Sequence, residues 1–278
     1  MATMTHKTDF FAGLLKASRK LKMDHDEAIE DSPESAVQVR STTADFLERY
    51  AAFNEIGQEM AVNSYIKTIV HYVNDIKVFI ATGKYPLEID PKQMELGRID
   101  YDLFLILTIL VTRHRCAIME EIMKTSAPGK PLVIGVGSGV ELNFIQAAES
   151  GDAYDLYINP FAREAFPRWN FHQKWYHPGE NRYGAVYAIE LLEHLAEPYQ
   201  FITDCHRSLA PGGRFIATTA CDVPQFDHRY NFVSDEDFEE RVSRLGFELE
   251  AKRTIPHDYA QTNLKPRNVF YVFRRNAE

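Results

Sequence analysis

Apolar residues recur at helical spacing through roughly the first 127 positions, then change to short β-rich runs after Pro131. Asp9 to Leu21 predicts a short amphipathic helix. Asp24 to Ser41 is polar, charged and holds Pro33, and reads as a loop or a weakly ordered crossing. Thr43 to Met60 restarts the helical pattern, with Phe46, Tyr50 and Phe53 at helical spacing. Val62 to Thr82 continues it with a stripe of Tyr65, Ile69, Val73 and Ile76, and Gly83-Lys84-Tyr85-Pro86 ends it. Tyr101 to Lys124 predicts the longest helix, with Asp100 as N-cap. It is apolar nearly all round from Leu103 to Val111, which predicts burial. Thr112-Arg113-His114-Arg115 reads as a helix face. Pro128-Gly129-Lys130 breaks the pattern.

The second part alternates strands and helices. Leu132 to Ile134, Tyr154 to Ile158, Ala185 to Ile189, Arg214 to Thr219, Phe247 to Arg253 and Asn268 to Phe273 read as strands. Helices are expected over Glu141 to Ser150, from Pro160, over Pro198 to Leu209, and over Ser234 to Leu245 with its acidic first turn. This alternation predicts βαβ units around a parallel sheet. The chain therefore divides into a helical segment, 1–127, and an α/β segment, 128–278. At roughly 150 residues per domain, a chain of this length suits such a division.

Composition narrows the function classes. Lys plus Arg is 31 and Asp plus Glu is 40, a net charge of −9. Nucleic-acid grip depends on neutralising phosphates, so this balance argues against a nucleic-acid partner and against an anionic membrane. Cys116, Cys205 and Cys221 lack the spacing of a disulfide framework or a zinc site, and suit a reducing cytoplasm. The start carries polar residues where a secretory leader needs an apolar run. Leu103 to Val111 is far shorter than the about 20 residues of a membrane span.

Ile134-Gly135-Val136-Gly137-Ser138-Gly139 follows the first strand and precedes a helix. Three alternate glycines allow a sharp turn and a close ligand, and the helix start offers free N–H groups. A dinucleotide loop needs G-x-G-x-x-G; here Val140 stands at its third glycine. The spacing resembles motif I of the class I S-adenosylmethionine-dependent methyltransferases. Tyr157-Ile158-Asn159-Pro160 is similar to the end of that family's second strand, where an acid holds the adenosine ribose. Tyr183 to Leu195 resembles its fourth-strand signature. Pro211-Gly212-Gly213-Arg214-Phe215 is similar to the turn into its fifth strand, and Leu245-Gly246-Phe247 to the turn before its sixth. The resemblance spans about Pro131 to Arg274. Three acids usual in the family are replaced, by Val133, Asn159 and Gly184.

The resemblance implies a Rossmann-like seven-stranded sheet of order 3-2-1-4-5-7-6, its last strand antiparallel, with the helical segment as a lid. It implies S-adenosylmethionine as cofactor, held by Gly135, Val136, Gly137, Gly139, Glu141, Asn159, Pro160 and Glu190. Five aromatic residues, Phe166, Trp169, Phe171, Trp175 and Tyr176, are expected in the core, with one ring stacking on adenine or substrate. His71 and His114 read as packed or surface residues. His177 and His257 are candidates for the substrate pocket.

Glu190, Glu193 and His194 follow the fourth strand at spacings of three and four, so one helical turn puts them on one face. His228 follows the fifth strand, whose end opens at the same edge. Glu190, Glu193, His194 and His228 together suit a divalent cation such as Mg²⁺ or Mn²⁺, with an acceptor oxygen as further ligand. The set resembles that of the small-RNA 2′-O-methyltransferases. Without metal, His194 or His228 is the expected base, with Glu193 beside it. The expected activity is methylation of a small molecule at oxygen, the substrate being a specialised metabolite or cofactor precursor. The expected partner is that molecule, with no nucleic acid and no membrane, and with room for a homodimer. Two alternatives stay open: RNA 2′-O-methylation, and a non-catalytic cofactor-binding scaffold.

Overall fold

A computed structural model describes residues 9–30, 32–85, 97–126, 128–145, 150–179, 182–225, 227–257 and 264–276. Among the described residues, six helices come first: α1 (Phe10–Ala17), α2 (Arg19–Ile29), α3 (Glu34–Phe53), α4 (Gln58–Thr82), α5 (Arg98–Val111) and α6 (Arg113–Lys124). The α/β part follows, with β1 (Pro131–Ile134), β2 (Asp152–Asp155), α7 (Pro160–Ala165), β3 (Asn170–Gln173) and β4 (Tyr183–Ala188). It continues with α8 (Pro198–Ser208), β5 (Leu209–Cys221), α9 (Asp235–Arg244), β6 (Phe247–Pro256) and β7 (Arg267–Arg275). The strands form one sheet of order β3-β2-β1-β4-β5-β7-β6. β3, β2, β1, β4 and β5 pair in parallel, and β7 runs antiparallel between β5 and β6. This is the sheet expected of a class I methyltransferase.

Two stretches of the helical segment differ from expectation. Asp24 to Ser41 is mostly helix. Its charges pair along the helix, as in Lys22–Asp26 at 2.5 Å, while Leu21, Ala28, Ala36 and Val39 are buried. Polarity there marked one face of a helix, not a loop. Tyr101 to Lys124 is two helices. Thr112 sits in extended conformation between them, and its hydroxyl donates to the Thr108 carbonyl at 2.7 Å. The Thr112 N–H also donates to that carbonyl, at 2.9 Å, so α5 closes there and the extended Thr112 backbone begins a new helix. The expected helix over Glu141 to Ser150 is a single 3-10 turn, Val140–Asn143, and residues 146–149 lie outside the described residues. β2 begins and ends earlier than expected, and β3 falls within the aromatic stretch read as core.

The sheet sorts its side chains by strand alternation. Leu132, Ile134, Val186, Phe215 and Phe273 face a cluster that also holds residues of α8 and α9. Val133, Ala185, Tyr187, Ile216 and Val272 face a larger cluster shared with Phe46, Tyr50, Leu103, Ile106 and Ile118 of the helical segment. Residue 127 separates the segments in sequence, but the core crosses that point. Of the five aromatics, Trp169 is buried, and Phe166 and Phe171 pack on the larger cluster. Tyr176 packs on the other, and Trp175 is exposed.

Gly184 explains one departure from the family pattern. A Cβ there would lie 1.6 Å from the Pro128 carbonyl oxygen, so β4 opens with no room for an acid or any side chain. Gly184→Ala is therefore expected to cost about 3 kcal/mol, the upper range for forced overpacking. Chemical denaturation measures it; an unchanged midpoint would mean that the 128–130 turn yields freely.

Candidate active site

The carboxyl ends of β1, β2, β4 and β5 open into a cavity of about 250 Å³. Arg98, Tyr101, Phe104, Leu105 and Thr108 of α5 line its roof, with His114 and Arg115 of α6. Helices α5 and α6 thus cover the carboxyl edge.

The glycine loop forms the floor. Gly135 and Gly137 line the cavity with φ of +77° and +52°, a backbone region that favours glycine. The loop is pinned to β2 by the Gly135 N–H, which donates to the Tyr154 carbonyl at 2.9 Å. Asp155 ends β2 and lines the cavity; its carboxylate accepts the Gly137 N–H at 2.8 Å and the Tyr157 N–H at 3.0 Å. Asp155 therefore occupies the place at the end of β2 that was expected of Asn159. Asn159 is buried away from the cavity, where it caps α7 and donates to the Tyr50 hydroxyl at 2.9 Å. Three other expected cofactor contacts also lie elsewhere. Val136 is in the core, Pro160 is exposed on the first turn of α7, and Gly139 faces Ala162, whose Cβ lies 3.1 Å from where a Gly139 Cβ would be. Glu141 and Glu190 do line the cavity.

Glu190 follows β4 with a φ of +49°, a strained value for a residue with a side chain. Its surroundings hold it there. Its N–H donates to Thr218 Oγ1 at 2.6 Å, and its Oε1 accepts from Thr218 Oγ1 and from Asn268 Nδ2 at 2.7 Å. Its Oε2 lies 3.2 Å from Arg115 Nη1. Arg115 Nη2 lies 3.6 Å from Glu141 Oε1. These contacts occupy Glu190, so it stands apart from the ligand set expected to include it.

Glu193, His194 and His228 do converge, with ligating atoms within 4.8 Å of one another. The Glu193 carbonyl accepts N–H groups from Arg229 and Tyr230, which joins the loops after β4 and β5. His228 Nδ1 is 2.7 Å from the Val223 carbonyl. His194 Nδ1 is 3.2 Å from the Asp227 carbonyl and 3.4 Å from its carboxylate. A carbonyl can only accept, so both contacts place a proton on Nδ1. Glu193 Oε2 is buried without a hydrogen-bond partner among the described residues. Burial, with Glu190 nearby, pushes the Glu193 carboxyl up to about 8. Burial, with His194 beside it, takes His228 down to about 4. Burial opposes charge on His194, but Asp227 and Glu193 outweigh it and raise its pKa.

Several cavity residues were not read from sequence. Arg115 and His114 belong to the stretch read as a helix face, yet both are buried. The available signal was their place directly after an all-round apolar helix, where neighbours tend to be buried. His257 lines the cavity, as considered from sequence, and stacks on His114 with ring centroids 4.0 Å apart. Its companion candidate His177 is exposed and outside the cavity. Tyr101 donates from α5 to Asp227 Oδ2 at 3.2 Å.

The residues suit S-adenosylmethionine. Asp155 offers carboxylate oxygens for ribose hydroxyls, and two positive-φ glycines leave space for the ligand. Arg115 and Glu141 present opposite charges for an amino-acid tail, and Arg115 Nε and Glu141 Oε2 are buried without hydrogen-bond partners among the described residues. None of the five clustered aromatics lines the cavity.

Residues 132–217 match a family model described as a methyltransferase domain. No curated protein matches the chain. Among solved structures, it is similar to a 1,6-didemethyltoxoflavin-N1-methyltransferase of Burkholderia thailandensis. That likeness has 18% identity and a TM-score of 0.49 over 58% of this chain and 79% of the other. An S-adenosylmethionine-dependent methyltransferase of Mesorhizobium loti overlaps at 15% identity and a TM-score of 0.44, over 57% of this chain and 96% of the other. The [4+2]-cyclase SpnF overlaps at 14% and 0.45, over 78% and 97%.

Asp155→Asn is expected to weaken S-adenosylhomocysteine binding by about 1–3 kcal/mol, the scale of a lost charged hydrogen bond. Asn159→Ala should instead lower stability by about 1 kcal/mol, as a lost helix cap does. Calorimetry and thermal unfolding separate the two, and the reverse pattern would return the ribose contact to Asn159. With the glycine loop, the seven-stranded order and the matched residues 132–217 in agreement, the chain carries a class I S-adenosylmethionine-dependent methyltransferase domain.

Proposed function

We propose that this methyltransferase acts on an oxygen of a small molecule enclosed in the cavity, beside a divalent cation held by Glu193, His194 and His228. One observation carries the reading. Both imidazoles turn Nδ1 to a carbonyl, which leaves Nε2 as the ring atom available to a cation, and Glu193 of the same cluster keeps a buried oxygen without a hydrogen-bond partner among the described residues. Metal-bound histidines are oriented in this way by outer hydrogen bonds. A pKa near 4 keeps His228 neutral, which suits a ligand and makes a poor proton acceptor. One carboxylate and two imidazoles suit Mn²⁺ and accept softer ions such as Fe²⁺ or Zn²⁺ as well.

When bound, S-adenosylmethionine supplies an electrophilic methyl carbon on a sulfonium, and the cation lowers the pKa of an acceptor hydroxyl. The chain's own part is alignment and exclusion of water. Gly135, Gly137 and Asp155 set the cofactor's place, and Arg115 and Glu141 orient its tail. Phe104, Leu105 and Thr108 cover the reacting end. Tyr101 and Asp227 hold His194 in the tautomer that presents Nε2.

A roofed cavity of about 250 Å³ supports a small acceptor over an RNA strand, as does the net charge of −9. A specialised metabolite or cofactor precursor is the class of substrate that this space suits. Among the described residues no helix is long and apolar enough to cross a membrane. The three cysteines are free and buried, which supports a reducing, cytoplasmic setting.

Mn²⁺ titration followed by electron paramagnetic resonance is expected to show one tight site in the wild type. Glu193→Ala and His228→Ala should lose it alike. Turnover on a panel of phenols, enols and hydroxy acids should stop with EDTA and return with Mg²⁺ or Mn²⁺. Chelator-insensitive turnover would transfer the role to a histidine base. Failure to bind S-adenosylhomocysteine would favour the scaffold alternative.

A further inference from the structure

Arg98, the first residue of α5, is suspended between two carboxylates. Its Nη2 lies 3.7 Å from Asp155 Oδ1, and its Nε lies 3.6 Å from Asp102 Oδ1. Both separations exceed a hydrogen bond. Arg98 Nε and Asp102 Oδ1 are each buried without a hydrogen-bond partner among the described residues, although they face one another. The guanidinium rests over the Tyr157 ring, 4.7 Å from its centroid.

The two carboxylates are anchored differently. Asp155 is held by the Gly137 and Tyr157 N–H groups and opens on the cavity. Asp102 is fully buried and lies outside the cavity lining. Its Oδ2 accepts from the Tyr50 hydroxyl at 3.0 Å and from Asn159 Nδ2 at 3.3 Å, so α3 and the start of α7 both fix it. Arg98 has the freedom to shift, because a third of its side chain is exposed.

We propose that Asp102 is a positioning residue for the cofactor's ribose: its buried charge draws Arg98 back from Asp155 and leaves the Asp155 carboxylate to accept ribose hydroxyls. The inference rests on the assignment of Asp155 to the ribose. Without Asp102, Arg98 faces a single carboxylate. A guanidinium and one carboxylate close into a paired, charge-assisted contact. That contact would occupy the oxygens that the ribose needs. Asp102 thus acts on affinity through Arg98 without touching the ligand, and it explains why a fully buried aspartate keeps an oxygen unpaired. The same arrangement accounts for Asn159, whose amide helps fix Asp102.

Calorimetric titration with S-adenosylhomocysteine tests this on the wild type, Asp102→Asn, Arg98→Gln and the double variant. Asp102→Asn should bind about tenfold more weakly, a difference of about 1.4 kcal/mol. The double variant should recover the affinity of Arg98→Gln, since no guanidinium remains to block Asp155. A merely structural Asp102 would lower the melting temperature of both Asn-bearing variants and leave the double variant as weak as the single one, which would overturn the proposal. Unchanged affinity in Asp102→Asn would overturn it as well. A wild type that fails to bind would instead defeat the cofactor reading underneath.

Discussion

The buried guanidinium of Arg115 is the contact on which the site depends. It reaches from α6 to Glu141 beside the glycine loop and to Glu190 after β4, and so ties the helical segment to two separate edges of the sheet. All three side chains are largely removed from water. A charge left unpaired in such a place costs about 3–5 kcal/mol, so each partner constrains the others. The roof of the cavity is thereby coupled to its floor by charge as well as by the apolar core.

That coupling shapes the rest of the cavity. Glu190 is held at a positive φ by Thr218, Asn268 and Arg115 together, and its oxygens are occupied by them. Glu193, three residues on, meets that carboxylate in a buried setting and gains a raised pKa. Two neighbouring acids therefore have different tasks. Glu190 is an ion-pair partner, while Glu193 keeps an oxygen without a hydrogen-bond partner among the described residues, beside two imidazoles. Burial and repulsion, rather than residue type, separate them.

The helical segment is more than a cover. Its apolar side chains fill one face of the sheet, and Phe46 and Tyr50 pack against Phe161 at the start of α7. The 3-10 turn after the glycine loop fits this arrangement, since α3 packs beside it. Losses from the family pattern are likewise matched to packing. Val133 faces the shared core, and Gly184 makes way for the Pro128 carbonyl.

Much of the architecture was legible in local pattern. The strand–helix alternation, the glycine loop and the Gly83 helix end follow from spacing within a few residues, and the meeting of Glu193 and His194 with His228 follows from the fourth and fifth strands ending at one sheet edge. The polar run around Asp24 to Ser41 was misread because paired charges on a helix face resemble loop composition. Asn159 lies beyond the end of the second strand and outside the cavity because β2 ends at Asp155, a matter of strand register set by pairing with β1 and β3. Arg115 and His114 enter the cavity because the chain breaks at Thr112 and α6 takes a new direction. Sequence by itself determined which elements form, since periodicity and turn chemistry act over short distances. Tertiary structure alone decided which carboxylates and cations meet, since burial and charge pairing depend on neighbours that are far apart along the chain.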